Sequence, residues 1–234
     1  MSFACIEKAN IGSLGGSHQF VSERVPEMLG RPSGKLRLVS CHLGGSASLC
    51  AIHCGRSVDT TMGFSPQSGL ENATRHGDLD PFAVLFMMRR HGWSVDQVVD
   101  QLARTGGLAG LSGIDGGDVR DLEAAIQSGN KEAALALGVF TYQVRKTIGA
   151  YAAAMGGLDA VAFTGGLGEN SAGLRAECCR GLEFLGIRLD PRSNEHGEGD
   201  RVVSAEGASV SVVVLATDEE RIVARRAYQA LCAR

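Results

Sequence analysis

The chain is poor in aromatic residues, which make up 5% of it, and it has a single tryptophan. Only 5 of its 234 residues are proline. Neither charge dominates: 23 Lys and Arg stand against 26 Asp and Glu, for a formal net charge of -3. The basic residues are scattered rather than blocked, so the electrostatic footprint of a nucleic-acid binder is missing. No apolar run approaches the ~20 residues that a bilayer-spanning helix needs. The opening M-S-F-A-C-I-E-K-A-N has no basic segment followed by an apolar core, so it does not read as a secretory signal. The seven cysteines are an odd number and contain no Cys-x-x-Cys pair. Cys50 and Cys54 are four apart, and Cys178 and Cys179 are adjacent. This usage predicts reduced thiols in a cytoplasmic protein rather than a disulfide or zinc framework.

Glycine, by contrast, is abundant, with 32 residues. That is about twice the usual share of roughly 7%, and there is no collagen-like period. The excess falls in turns, where backbone needs positive φ or must approach a ligand closely. A hydrophobic fraction of 44% supplies a core for one large domain or two small ones.

The N-terminal part predicts a short helix over 21–30 closed by Gly30. Three strands follow, 36–45, 48–53 and 57–63, joined by glycine turns as an antiparallel meander. Residues 65–81 form a loop too long for a mere connector, which marks it as a functional candidate. Asp80-Pro81 and Ser94 open two helices. A glycine-rich loop is expected over 105–117, then a helix from Asp118 to Ile126 and a long one over 131–155. In the long helix Leu137, Phe140, Val144, Ile148, Tyr151 and Met155 recur at spacings of three and four, as a core-facing stripe does. Strand 160–164, helix 171–185, polar loop 189–201, strand 210–215 and a final helix from Thr217 complete the chain. Continuously apolar strands separated by helices imply parallel strands covered on both faces, hence an α/β sheet of mixed direction.

Five segments carry candidate chemistry. In S-C-H-L-G-G-S-A-S-L, Gly44, Gly45, Ser46 and Ser48 can aim backbone N–H groups and hydroxyls at an anion, although Gly-Gly is also an ordinary hairpin turn. In T-G-G-L-G-E-N, Gly165, Gly166 and Gly168 follow a strand and precede a helix, a place suited to a phosphate, or simply a tight connection. No P-loop signature is present. Arg75 lies among Thr74, His76, Asp78 and Asp80, able to grip a phosphate or carboxylate bidentately or to form a surface ion pair. Asp118 and Arg120 flank a helix start, where Asp118 is also a natural N-cap. Glu219, between a buried strand and the last helix, could hold Mg²⁺ or merely complement the helix dipole.

The segments C-H-L-G-G-S-A-S, S-V-D-T-T-M-G-F-S-P-Q-S-G-L, T-R-H-G-D-L-D-P, D-V-R-D-L-E-A-A, F-T-G-G-L-G-E-N-S and G-L-E-F-L-G-I-R-L-D occur in this order. With them the chain, from about Gly16 onward, resembles the acetate kinase family, including propionate and butyrate kinases. That resemblance implies an ASKHA, ribonuclease H-like α/β domain. Its sheet would be mixed and five-stranded, flanked by helices, with a helical insertion at about 80–156. It divides the chain into a divergent segment, 1–15, and a C-terminal nucleotide-binding and dimerisation domain, 16–234.

The resemblance also implies reversible transfer of the ATP γ-phosphoryl to acetate or a similar short-chain carboxylate, with Mg²⁺ or Mn²⁺ and direct in-line displacement. Carried over by position, Arg75 would stabilise the transferring phosphoryl, and His42 would contact phosphate. Gly44, Gly45, Ser46, Gly165, Gly166, Gly168 and Asn170 would surround the nucleotide. Asp118 and Arg120 would line the adenosine pocket, and Glu219 would support the metal. A cytoplasmic homodimer, with no nucleic-acid or membrane partner, is the expected setting.

Three departures from the family pattern stand out. The resemblance implies a further N-terminal domain in family members, which this sequence is expected to lack. Leu14 stands where the family has a histidine, and Gly45 where it has an asparagine. Together they predict impaired catalysis in a truncated or decayed paralogue or a fragment. The alternative they raise is a non-catalytic nucleotide-binding or dimerisation module.

Overall fold

The computed structural model describes residues 15–232, with some side chains of the last helix excepted. The chain forms two compact units. One comprises residues up to 44, 48–60 and 144 onward, and the other comprises 45–47 and 61–143.

The first unit is built on a sheet. Helix α1 (Gly15–Leu29) ends at Gly30, whose φ of 60° is the left-handed turn that stops a helix. Then come β1 (Arg37–Leu43), β2 (Ala47–His53) and β3 (Arg56–Thr60), the meander that the glycine turns predict. β4 (Ala160–Thr164), β5 (Arg201–Val202) and β6 (Ser211–Val214) complete a six-stranded sheet of order β3-β2-β1-β4-β6-β5. β1, β4 and β6 run parallel, with Leu38 opposite Ala160 and Ala160 opposite Ser211. β5 runs antiparallel to β6 and is the sixth strand. It pairs only two residues in a stretch that reads as polar loop, too short for any alternation to register.

Because side chains alternate across a strand, one face carries Leu38, Cys50, Ile52, Ala160, Ala162 and Val213. These pack on Val21 and Val25 of α1. The other face carries Val39, Cys41, Val161, Phe163, Val212 and Val214, all fully or almost fully buried. Burial on both faces is why these strands read as unbroken apolar runs. Each such Val, Leu or Phe contributes about 1.5–3 kcal/mol by leaving water. At the amino ends of β1 and β4, the Asp159 carboxylate accepts from the Arg37 backbone N–H, Arg37 Nε and Arg31 Nη2, each at 2.9 Å. Burial works against the charged carboxylate, but those arginine bonds outweigh it and hold its pKa below the usual range. This tie pins the register of the parallel pair.

Three helices follow β4 in this unit: α7 (Gly165–Asn170), α8 (Ala172–Cys179) and α9 (Pro191–Glu195). The unit closes with α10 (Glu219–Cys232). Two differences from the sequence reading matter here. The T-G-G-L-G-E-N stretch is itself a helical turn, α7, rather than a loop. The helix after it stops at Cys179, because Arg180 leaves helical geometry and Gly181 takes φ 77°. Among the described residues all six cysteines are free thiols. No described helix is long and apolar enough to cross a membrane.

The second unit is helical. α2 (Pro81–His91) is capped by Asp80, and α3 (Val95–Arg104) has Ser94 and Gln97 as a reciprocal capping box. α4 (Gly107–Ser112) lies where a glycine loop is expected, and α5 (Val119–Gln127) begins at Asp118. α6 (Lys131–Ala154) starts in this unit and ends in the other. Of the predicted stripe, Phe140, Val144, Ile148 and Tyr151 are buried, as is Met155 just past the helix end, whereas Leu137 is half-buried. Residues 61–80 hold no regular element but are anchored along their length. Leu108 N donates to Asn72 O at 3.0 Å, Ala109 N to Ala73 O at 2.9 Å, and Gly106 N to Thr74 O at 3.0 Å. Gly107, at φ 62°, sits so close to Asn72 O that no side chain fits, so this clamp requires glycine.

Candidate active site

Parallel pairing sets the geometry of the sheet unit. His42 of β1 lies in register with Thr164 of β4, so the turn after Leu43 and the helix after Thr164 emerge side by side. β6 is β4's other neighbour, and the chain leaving it reaches the start of α10. Three connections thus leave the carboxyl ends of adjacent parallel strands, the place where open α/β sheets bind ligands. They contain Gly44, Gly165, Gly166, Gly168, Asn170 and Glu219, with His42 at the end of β1 beside them.

Gly165 takes φ 76°, and a Cβ there would lie 2.7 Å from Leu43 O and 3.2 Å from His42 Nε2. The glycine lets α7 start against the end of β1, and the Nε2 edge of His42 faces that start. Gly166 differs: its φ is ordinary and nothing lies within 4 Å of a Cβ built on it. The fold does not need glycine at 166. Asn170 at the other end of α7 donates from Nδ2 to Gly166 O at 2.8 Å, stitching the short helix closed. Thr164 heads α7, fully buried, and among the described residues its Oγ1 has no hydrogen-bond partner.

Ser17 and His18 of α1 hold this end of the sheet together. Ser17 Oγ meets His42 Nδ1 at 2.8 Å. The next residue, His18, lies between two strand hydroxyls, with Nδ1 2.8 Å from Ser40 Oγ and Nε2 2.8 Å from Ser48 Oγ. Burial, with the proximity of His42, lowers the pKa of His18 to about 3. Burial also lowers that of His42 to about 4. Both rings are neutral at pH 7.

Beneath α7 lies Arg175, whose residue is 1% exposed. It donates from Nη1 to Gly168 O and Glu169 O, each at 2.9 Å, from Nε to Asn194 Oδ1 at 2.8 Å, and from Nη2 to Asn194 O at 2.5 Å. Burial and repulsion by Arg201 lower its pKa to about 10, because these bonds go to neutral oxygens. Arg175 directly follows Leu174 on an apolar helix, so periodicity alone gives no sign of it. Only an arginine beside a buried stripe hints at an internal guanidinium.

In the helical unit, Gly45, Ser46 and Arg75 come together. Ala73 N donates to Gly45 O at 3.5 Å. Arg75 donates from Nη1 to Pro66 O at 2.9 Å and from Nη2 to the Ser46 hydroxyl. The guanidinium is thus oriented by the residue after the glycine pair rather than by Asp78 or Asp80. Asp78 instead accepts from Gly69 N at 2.8 Å, and Asp80 caps α2. Asn72 is buried, accepts from Ala47 N and donates to Leu70 O at 3.1 Å, tying the Arg75 loop to the Gly45–Ala47 turn.

Asp118 is the N-cap of α5, accepting from Arg120 N at 2.9 Å. It also pairs with the Arg120 guanidinium, Nη2 to Oδ2 at 2.6 Å. Those Arg120 bonds lower the carboxyl pKa to about 2. Gly117, one residue before, abuts Ala73 O, so Asp118 and Arg75 come from touching segments.

Glu219 opens α10, but its side chain lies outside the described residues, as does the whole of Leu14. Among the described residues no group of three or more His, Cys, Asp or Glu side chains could hold a metal. Mg²⁺ commonly takes one or two carboxylates and completes its shell with phosphate oxygens and water. In the sequence, Asp218, Glu219 and Glu220 stand together at the head of α10, carboxylates of the kind that donor set uses.

The model of the acetokinase family matches residues 8–225. An acetate kinase of Heliobacterium modesticaldum is 48% identical over 220 residues, covering 94% of this chain and 55% of the relative. An acetate kinase of Leifsonia xyli is 47% identical over 223 residues, covering 95% of this chain and 56% of the relative. The crystal structure of an acetate kinase from Porphyromonas gingivalis superposes with TM-score 0.88 at 39% identity, over 93% of this chain and 54% of that one. A propionate kinase from Francisella tularensis gives TM-score 0.84 at 33% identity, over 96% and 57%. The chain therefore spans about half the length of the relatives it matches. Its fold is the mixed α/β fold of these kinases, and the chain belongs to the acetokinase family.

Proposed function

We propose that this chain carries the nucleotide-handling half of an acetate kinase-type phosphotransferase, acting on ATP and a short-chain carboxylate to give ADP and an acyl phosphate. The observation that carries the reading is the juxtaposition, at the carboxyl ends of β1 and β4, of His42 with the Gly165–Asn170 turn. Phosphoryl transfer asks little covalent chemistry of a protein and much positioning and charge neutralisation. Each part has a role of that kind. Gly166 leaves open backbone for a phosphate-bearing ligand. His42, neutral at pH 7, donates an N–H without adding a cation beside the metal. Arg75, oriented by Ser46 and Pro66, neutralises charge on the transferring phosphoryl. Asp118 and Arg120 line the adenosine side. Bound Mg²⁺, held through Glu219, would offset phosphate charge.

The test is hydroxylamine trapping of acyl phosphate from Mg·ATP and acetate, with purified chain and with Arg75→Ala. The reading expects product that falls about 10³-fold or more without the guanidinium. Equal signals from the two proteins, or none from folded wild-type chain, would refute phosphoryl transfer by this chain.

One observation favours a second role, self-association. On α2, Phe82, Leu85 and Phe86 are 76%, 52% and 61% exposed, at helical spacing on one face. A second copy of the chain would cover this face. Native mass spectrometry should show a dimer that Phe82→Asp dissociates; a wild-type monomer would contradict it.

A further inference from the structure

We infer that Asn72 is a positioning residue for Arg75: with its side chain and its own backbone it fixes both ends of the contact that aims the guanidinium. The inference rests on the reading of Arg75 as the group that neutralises the transferring phosphoryl.

A guanidinium on a long flexible stem serves phosphoryl transfer only if it is held in place before the charge develops. Arg75 Nη2 donates to Ser46 Oγ, a contact that spans 29 positions of the chain. Asn72 holds the two segments at that distance. Its backbone N–H donates to Arg75 O at 2.9 Å and closes the turn that carries Arg75. Its Oδ1 accepts from the N–H of Ala47, the residue after Ser46. The result is a closed circuit: Asn72 N to Arg75 O, Arg75 Nη2 to Ser46 Oγ, Ala47 N to Asn72 Oδ1. Chemistry gives the direction of each bond, because backbone N–H and guanidinium groups only donate and carbonyl oxygens only accept. Asn72 Nδ2 donates to Leu70 O at 3.1 Å, so neither end of the amide is free to turn round.

Burial stiffens the circuit. Asn72 and Ala47 are both almost fully buried, so water does not stand in for the amide. The other tie between the segments, Ala73 N to Gly45 O, is long at 3.5 Å, and Gly45 has no side chain to add. Asn72 O also accepts from Leu108 N at 3.0 Å, which fastens the circuit to α4. Asn72 therefore acts on the reaction through Ser46 and Arg75, from inside the fold.

Two variants separate positioning from stability. Asn72→Leu keeps the volume and removes both side-chain bonds. Asn72→Asp keeps an acceptor for Ala47 N but sets a carboxyl oxygen against Leu70 O, so it should be the less stable of the two in urea. In acyl-phosphate trapping, Asn72→Leu should lower kcat about 10²-fold, as a displaced catalytic group does. KM for ATP should stay within about twofold of wild type, because the guanidinium is used in the transition state. Asn72→Asp, although less stable, should keep most of kcat. Activities that follow stability instead, or a loss confined to KM, would overturn the inference.

Nitrogen-15 spectra of the guanidinium groups read the position without catalysis. The Arg75 signal, assigned as the one that Arg75→Lys removes, should show hindered rotation in wild type and fast rotation in Asn72→Leu. A freely rotating wild-type guanidinium would overturn the inference even where Asn72→Leu proves unstable. Hindered rotation in a folded wild-type chain that makes no acyl phosphate would support the positioning and remove the reading of Arg75 beneath it, so the two failures are distinguishable.

Discussion

Arg175→Met removes the guanidinium and keeps most of the apolar stem. Four acceptors lose their donor: Gly168 O, Glu169 O, Asn194 O and Asn194 Oδ1. Each buried acceptor left unsatisfied costs about 1–3 kcal/mol. Against this, the variant no longer has to keep a charge in a site where burial and Arg201 already disfavour it. Water entering from the α7 side would also satisfy part of the loss. The net expectation is a destabilisation of about 2–4 kcal/mol. That is a large share of the ~5–15 kcal/mol that holds a domain folded. Urea unfolding at pH 7 measures it, and hydrogen exchange locates it: amides of 165–171 and 190–196 should lose protection first. A change below about 1 kcal/mol, with exchange in both segments unaltered, would refute the view that Arg175 holds α7 in place.

Two further expectations follow from the same end of the sheet. His18 has a folded pKa of about 3, below its ordinary 6.5, so the unfolded chain takes up the proton first as pH falls. Its contribution is complete above pH 6.5 and is lost on the way down to pH 3. Between pH 7 and pH 5 it amounts to about 2 kcal/mol, the part of the drop in unfolding free energy that His18→Gln should remove while the share of His42 stays in place. Thr164→Val replaces a buried hydroxyl that lacks a partner among the described residues. It should leave stability unchanged or raise it by about 1 kcal/mol in thermal unfolding, and a loss of that size would show that the hydroxyl is satisfied.

Much of this architecture is legible in the sequence because its signals are local. Ser94 with Gln97, Asp80 before Pro81 and Asp118 before Val119 are caps, and each starts the helix it announces. The apolar stripe of α6 is a period, and the period places its buried face. Glycine turns separate the first three strands where they read as turns. Other features failed to show for physical reasons. α7 and α4 are short helices rich in glycine, which has low helix propensity; tertiary contacts, not composition, hold them. β5 is two residues long and exists through its pairing with β6.

The site residues divide the same way. Gly165, Gly166, His42 and Arg75 sit in motifs readable in the linear chain. Ser17, His18 and Arg175 act across 25, 22–30 and 6–19 positions, through bonds that only the fold creates. Asp118 shows the cap that the sequence reading held open beside the adenosine role, and a salt bridge to Arg120 that it did not foresee.

The most direct measurement is a calorimetric titration of Mg·ADP into wild-type chain and Gly166→Ala. Nothing lies within 4 Å of the added methyl and the φ is ordinary, so the variant should fold as stably as wild type, or slightly more so. If a nucleotide rests against this backbone, the methyl stands in its way, and affinity should fall about tenfold or more. A saturable wild-type isotherm with that loss is the predicted result. A Gly166→Ala isotherm equal to wild type, or no binding by folded wild-type chain, would contradict a nucleotide site at the end of β4.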